Sequence, residues 1–250
     1  MSGHSKWSTI KRKKGAEDAK RGKIFTRVAR DLTLAARDGG GDPTMNASLR
    51  LAIDKAKAAN MPKDNIERAI KRGTGELEGG ELEEIIYEAY APHGVATLIK
   101  CLTDNRNRTL SDIRRVFNKH GGNMAEQGAV GWMFDTKGYI TVPTANADPD
   151  EVFMIAVDAG ADDVEISDDV IEVYTPPASL HAVREAIEGA GVTVGEAELS
   201  QFAKAEVELG VKETLSVMSL IELLEDLDDV DTVYSNLSIS DAALAQLETA

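Results

Sequence analysis

One cysteine in 250 residues, Cys101, leaves no internal disulfide and no cysteine-built metal cage, and it fits a reducing compartment. No run approaches the ~20 consecutive apolar residues that a membrane helix needs. A secretory signal is not expected, because Lys11, Arg12, Lys13 and Lys14 stand where its apolar segment would be. Catalytic patterns are missing too: there is no G-x-S-x-G elbow and no H-E-x-x-H helix. Gly15 and Gly22 are spaced wrongly for a phosphate loop, and Ile24 replaces the hydroxyl that would hold magnesium. His4, His93, His120 and His181 are scattered without ligand spacing. Asp148, Asp150, Asp158, Asp162, Asp163, Asp168 and Asp169 lack the D-x-D-x-D-G pattern of a calcium loop and read as solvated carboxylates. Cys101 falls in an alternating run and reads as a small half-buried side chain rather than a nucleophile. The expectation is a soluble cytoplasmic protein with no catalytic residue, no metal and no cofactor.

What the chain does have is a steep charge gradient. The net charge is −15, but residues 1–75 hold 18 Lys and Arg against 8 Asp and Glu, a net of +10. Residues 76–250 hold 10 against 35, a net of −25. Such asymmetry points to a basic lobe with a polyanionic partner, engaged basic end first because the remainder repels the same polymer. The alternative is a solvated cationic surface on a small helical lobe.

The hydrophobic pattern divides the chain at the same place. Residues 1–19 carry Lys6, Lys11, Arg12, Lys13 and Lys14 with Trp7 and Ile10 as the only large apolar side chains, too few for a core. Over 20–38, Phe25, Val28, Ala29, Leu32, Ala35 and Ala36 share one helical arc, and Lys20, Lys23, Arg27, Arg30 and Arg37 the opposite one. This predicts an amphipathic helix with a cationic solvent face. Further helices are predicted over 46–59 and 62–73, completing a three-helix lobe. A Gly-rich, linker-like segment follows at 74–80.

Beyond it the period changes to two. Strands are expected over 85–90, 95–102 and 130–134, with a helix over 109–120. Residues 139–199 then read strand–helix–strand–strand–helix–strand, the order of a ferredoxin-like unit. A helix over 215–226 and a strand over 231–237 cannot form a core alone, so they are expected to return to the earlier sheet. The fold class expected is α+β and multidomain: a basic helical domain at 1–75, a discontinuous α+β domain at 80–135 plus 208–240, and an inserted ferredoxin-like domain at 136–207.

Two basic elements are candidate nucleic-acid contacts. The first comprises Lys6, Trp7, Lys11, Arg12, Lys13, Lys14, Lys20, Arg21, Lys23, Arg27 and Arg30, whose cations neutralise phosphates without choosing a sequence. Trp7 either stacks on an unpaired base or anchors the arm to the lobe. The second is the loop and helix carrying Arg106, Arg108 and Arg115, with Lys119 on the same face. A helix N-terminus with arginines is an anion site; the alternative is a salt-bridge patch that meets the acidic lobes.

Four motifs stand in order along the chain: Gly3-His4-Ser5-Lys6-Trp7, Lys20-Arg21-Gly22-Lys23, the run from Asn60 to Ile70 (NMPKDNIERAI), and the run from Leu102 to Thr109 (LTDNRNRT). They resemble the signatures of the YebC/PmpR family over essentially the whole chain. The resemblance implies a helical domain followed by two α+β lobes and a non-catalytic regulator of gene expression. Bacterial members are described as DNA-binding transcriptional regulators; mitochondrial relatives are translational activators, and some members associate with stalled ribosomes. The chain departs from the pattern at Ala89, Ala91 and His93, where the family has more glycine, so the family's backbone conformation is not carried over to that loop. The partners expected are therefore DNA, or ribosomal or messenger RNA, with a ribosome or protein partner for the acidic lobes, no membrane, and a monomeric state. A ribosome-associated translation factor is the alternative to a transcriptional regulator, and a small-molecule sensor a more distant one.

Overall fold

The computed structural model describes residues 18–77 and 82–249. Three helices come first: α1 (Asp18–Gly39), α2 (Ala47–Ala58) and α3 (Lys63–Gly73). Asn46 caps α2, its side chain accepting from the Leu49 N–H, while its amide donates to the Ala35 and Gly40 carbonyls at 2.7 and 2.8 Å. One asparagine thus closes the end of one helix and starts the next. Leu32, Ala36, Leu49 and Ala56 are fully or almost fully buried in the lobe's own core. Helix α3 lies so close to α1 that a Cβ on its last residue, Gly73, would run into the Thr33 carbonyl and come 2.8 Å from Ala36 Cβ. Gly73→Ala is therefore expected to cost about 1–3 kcal/mol through overpacking. Urea unfolding checks this; an unchanged midpoint would mean that the helices can part without cost.

Next come β1 (Glu83–Ala91), β2 (Val95–Thr103), α4 (Arg106–His120) and the short β3 (Asn123–Met124). Helix α4 starts three residues earlier than its apolar pattern suggests, because Asn105 accepts from the Arg108 N–H and caps it. Between β1 and β2, His93 occupies φ +65°, a left-handed position that glycine takes more readily, while Ala89 and Ala91 are buried inside β1.

The strand expected over 130–134 is not there. Gly131–Met133 is a short 3-10 turn, and Phe134 begins a later strand. The reason is Glu88, a buried carboxylate on β1 that accepts from the N–H groups of Gly128, Val130 and Gly131 at 2.6, 2.6 and 2.9 Å. With those donors taken, the segment cannot form a ladder. Burial pushes the Glu88 carboxyl up, but these N–H groups outweigh it and hold it below its ordinary value.

The chain continues through β4 (Phe134–Pro143), α5 (Pro149–Asp158), β5 (Asp163–Ile166), β6 (Val170–Thr175), α6 (Leu180–Gly189) and β7 (Ala197–Ala203). Their sheet has the order β5-β6-β4-β7, that of a ferredoxin-like unit. Asp148, one of the acidic loop residues, caps α5 by accepting from the Asp150 N–H. Helices α5 and α6 bury Val152, Ala156, Val183 and Ile187.

The chain then returns through β8 (Val207–Glu208), α7 (Val211–Glu225), β9 (Val230–Ser235), β10 (Leu237–Ser238) and α8 (Asp241–Thr249). Strand β9 pairs antiparallel with β2, giving the order β3-β1-β2-β9. Leu220 and Leu224 of α7 join Ile99, Ile113 and Val233 in one core. The fold is thus α+β and multidomain, with a helical lobe and a ferredoxin-like unit inserted in the middle α+β layer. The chain forms two compact units: Asp135–Phe202, and the rest, in which the helical lobe and the four-stranded sheet go together. The inserted unit ends five residues before the expected 207, because the Lys204 N–H already donates to the Met133 carbonyl and Val207 pairs with Leu237.

Candidate nucleic-acid interface

The basic residues divide into those held within the protein and those left open. Asp229, just ahead of β9, is almost fully buried and gathers the first group. Its carboxylate accepts from Arg108 Nε at 3.0 Å and Nη2 at 2.8 Å, from the Thr109 hydroxyl at 2.8 Å, and from Arg30 Nη2 at 3.0 Å. Thr103 donates at 3.3 Å and itself accepts from the Asn105 N–H. Burial raises the Asp229 pKa, but these hydrogen bonds and the charges of Arg108 and Arg30 prevail and hold it below 3.8.

Helix α1 docks beside this centre. Arg27 donates to the Glu225 carbonyl and Arg30 to the Asp228 carbonyl, while Arg37 donates to the Leu82 carbonyl. Glu225 ends α7, so Arg27 satisfies a carbonyl that has no partner within its helix, at the negative end of the helix dipole. This corrects the expectation of a solvent-facing cationic arc on α1: Arg27 and Arg30 are half-buried against residues 225–229, whereas Arg37 stays exposed while it reaches the chain just ahead of β1. Arg108 likewise serves an internal ion pair, the salt-bridge alternative named for it. Arg106 pairs with Glu83, and Arg115, largely exposed, pairs with Asp112 at 3.2 Å. Lys20, Arg21 and Lys23 lie on the first two turns of α1. Lys6, Trp7, Lys11, Arg12, Lys13 and Lys14 lie outside the described residues.

Of the second group only Lys119 was singled out from sequence. On α3, Arg68 and Arg72 are exposed and have no ion pair or hydrogen bond among the described residues. They border a groove of about 410 Å³ between α1 and α3, lined also by Phe25, Asn65 and Met61. Their signal was present: Ile66, Ala69 and Ile70 point inward, which puts residues 68 and 72 together on the outer face. On the outer face of α4, Arg114 and Lys119 border a second depression with Asn107 and Asn118.

Burial, with Asp229 and Asp231 nearby, pushes the Cys101 thiol up to about 12, so it stays protonated and unreactive. No group of His, Cys, Asp and Glu among the described residues has the geometry to hold a metal ion. No described helix is long and apolar enough to cross a membrane.

Two family models cover this arrangement. Residues 5–76 match the TACO1/YebC protein N-terminal domain, and residues 82–237 match the TACO1/YebC second and third domain. The chain belongs to the TACO1/YebC family. A probable transcriptional regulatory protein of Desulfosudis oleivorans is 53% identical over 242 residues, covering 97% of this chain and 98% of that protein. One from Geobacter sulfurreducens is 53% identical over 247 residues, covering 99% and 100%. Among solved structures, a conserved hypothetical protein from Aquifex aeolicus superposes with a TM-score of 0.84 at 45% identity, covering 90% of this chain and 93% of that one.

Proposed function

We propose that this protein is a non-catalytic, nucleic-acid-binding regulator of gene expression, with the basic end of the chain as its contact surface. The observation that carries the reading is the charge gradient, +10 over 1–75 against −25 over 76–250. Intramolecular pairing absorbs only part of it: Arg30 meets Asp229, whereas Arg68 and Arg72 stay open among the described residues. The names of the bacterial relatives support a role in regulating transcription. The inserted unit Asp135–Phe202 holds 15 Asp and Glu against two Lys and Arg, which would keep it away from the polymer and turn it toward a cationic partner, such as a protein or the protein part of a ribosome.

The test is the salt dependence of binding by the full chain, with one labelled DNA duplex and one labelled RNA hairpin. Replacing Lys11, Arg12, Lys13 and Lys14 with Ala should flatten the log–log slope for duplex DNA by about 0.9 for each phosphate that is no longer neutralised. A slope equal to that of the parent would remove the arm from the interface. Failure of the parent to bind either probe at low salt would overturn the reading.

A further inference from the structure

We propose that the groove between α1 and α3 receives an unpaired nucleotide of single-stranded RNA, with Arg68 and Arg72 holding the phosphates that flank it. The inference rests on the nucleic-acid reading above and adds a site and a strand state to it. Two of the four charged side chains along the groove are already met within the protein. Arg30 lines it but is held by Asp229 at 3.0 Å, and the one lining carboxylate, Asp104, is held by Arg108 at 2.8 Å. Both are neutralised within the protein. Arg68 and Arg72 remain, exposed and without an ion pair among the described residues, so the side chains that line the groove carry a formal net charge of +2.

Residues four apart on a helix face stand about 5–6 Å apart at their Cβ atoms, a separation that extended side chains can match to successive phosphates of a flexible strand. Guanidinium groups also engage phosphate oxygens two at a time.

The groove is also partly apolar. Phe25, Ala29, Met61, Ala69 and Leu82 give it an apolar floor, and Asn65 puts an exposed amide at its rim. At about 410 Å³ it has room for a base but not for a helix or a duplex. An apolar slot with a hydrogen-bonding amide and two flanking cations is the chemistry that takes up a splayed base and its backbone. A base paired in a duplex cannot enter it, and loops and single strands of RNA offer unpaired bases most freely.

The experiment uses the full chain and a fluorescein-labelled 12-mer of oligouridylate, with an abasic 12-mer and a duplex RNA as comparison probes. Arg68→Ala/Arg72→Ala should weaken oligouridylate binding roughly tenfold or more and lower its salt slope by about 1.4, two single-strand phosphates' worth. Lys57→Ala/Lys71→Ala removes the same charge from positions outside the groove lining and should have a much smaller effect. The parent should prefer oligouridylate to the abasic strand, and Asn65→Trp, a substitution at an exposed position that fills the groove, should erase that preference. Equal losses in the two double variants, or no preference for the strand that carries bases, would overturn the groove. If duplex binding then remains and still depends on Lys11 to Lys14, the nucleic-acid reading stands without it. If the parent binds none of the three probes, both fall.

Discussion

Replacing Asp229 with Ala is expected to cost about 2–3 kcal/mol and to free α1 from the sheet. The carboxylate joins Arg30 of the helical lobe, Arg108 and Thr109 of α4, and Thr103 at the end of β2. Removing one partner of a buried ion pair usually costs about 3–5 kcal/mol, because the other is left desolvated and unpaired. Here Arg108 is about half exposed and can turn to water, which sets the expectation at the lower end. Hydrogen exchange should show the loss first in the turns of α1 around Arg27 and Arg30. Unchanged protection there, with an unchanged urea midpoint, would show that core packing alone holds the lobe. Asp229→Asn should lose less than Asp229→Ala, because one acceptor oxygen remains, although its amide then faces a guanidinium.

The pH dependence has a definite sign. The Asp229 carboxyl is held below 3.8, so the folded state keeps its charge at pH values where the unfolded chain has begun to take up a proton. Its contribution is complete above the ordinary carboxylate range and is lost as the pH falls through the lower, folded value. The gap between the parent and Asp229→Ala should therefore be flat from about pH 5 to 8 and close only in acid. A gap that opened toward alkaline pH would assign the effect to another group.

Glu88→Ala should be of similar size, about 3 kcal/mol, with a different signature. Three backbone N–H groups, of Gly128, Val130 and Gly131, would lose their acceptor, and a buried donor left unmade costs about 1–3 kcal/mol. Part of that would be recovered by water at Gly128, which lies on the exposed part of the loop. Trp132 sits in the same turn, largely exposed, its indole donating to the Ala129 carbonyl at 3.1 Å. In a Trp7→Phe background its fluorescence reports this loop alone. A shifted emission maximum before global unfolding is expected for Glu88→Ala and a smaller shift for Glu88→Gln. An emission spectrum and midpoint identical to those of the parent would show that the loop holds its shape without the clamp.

Most of the elements were legible in the sequence where one face of an element meets one core. The apolar arc of 20–38 marked α1, and the alternation after residue 80 marked β1 and β2, because burial on one side imposes a period. The ferredoxin-like order followed from element type alone. Several places resisted, the short β8 and β10 and helix α8 among them. The stretch 130–134 has a strand's composition, yet Glu88, 42 residues before Val130, takes its donors. β3 is two residues long, too short to leave a periodic trace.

The site divides along the same line. The sequence by itself determined that positive charge collects before residue 76 and negative charge after it, and which family the chain resembles, since both are properties of residue order. Only the tertiary structure decided which cations are available. Arg27, Arg30 and Arg108 resemble Arg68 and Arg72 in any local window, but a carboxylate and two carbonyls from residues 225–229 occupy the first three. Those partners lie 121 to 199 positions away and arrive only when β9 closes against β2. Charge is carried by a residue wherever it stands; whether that charge faces solvent or a partner depends on contacts that no local pattern encodes.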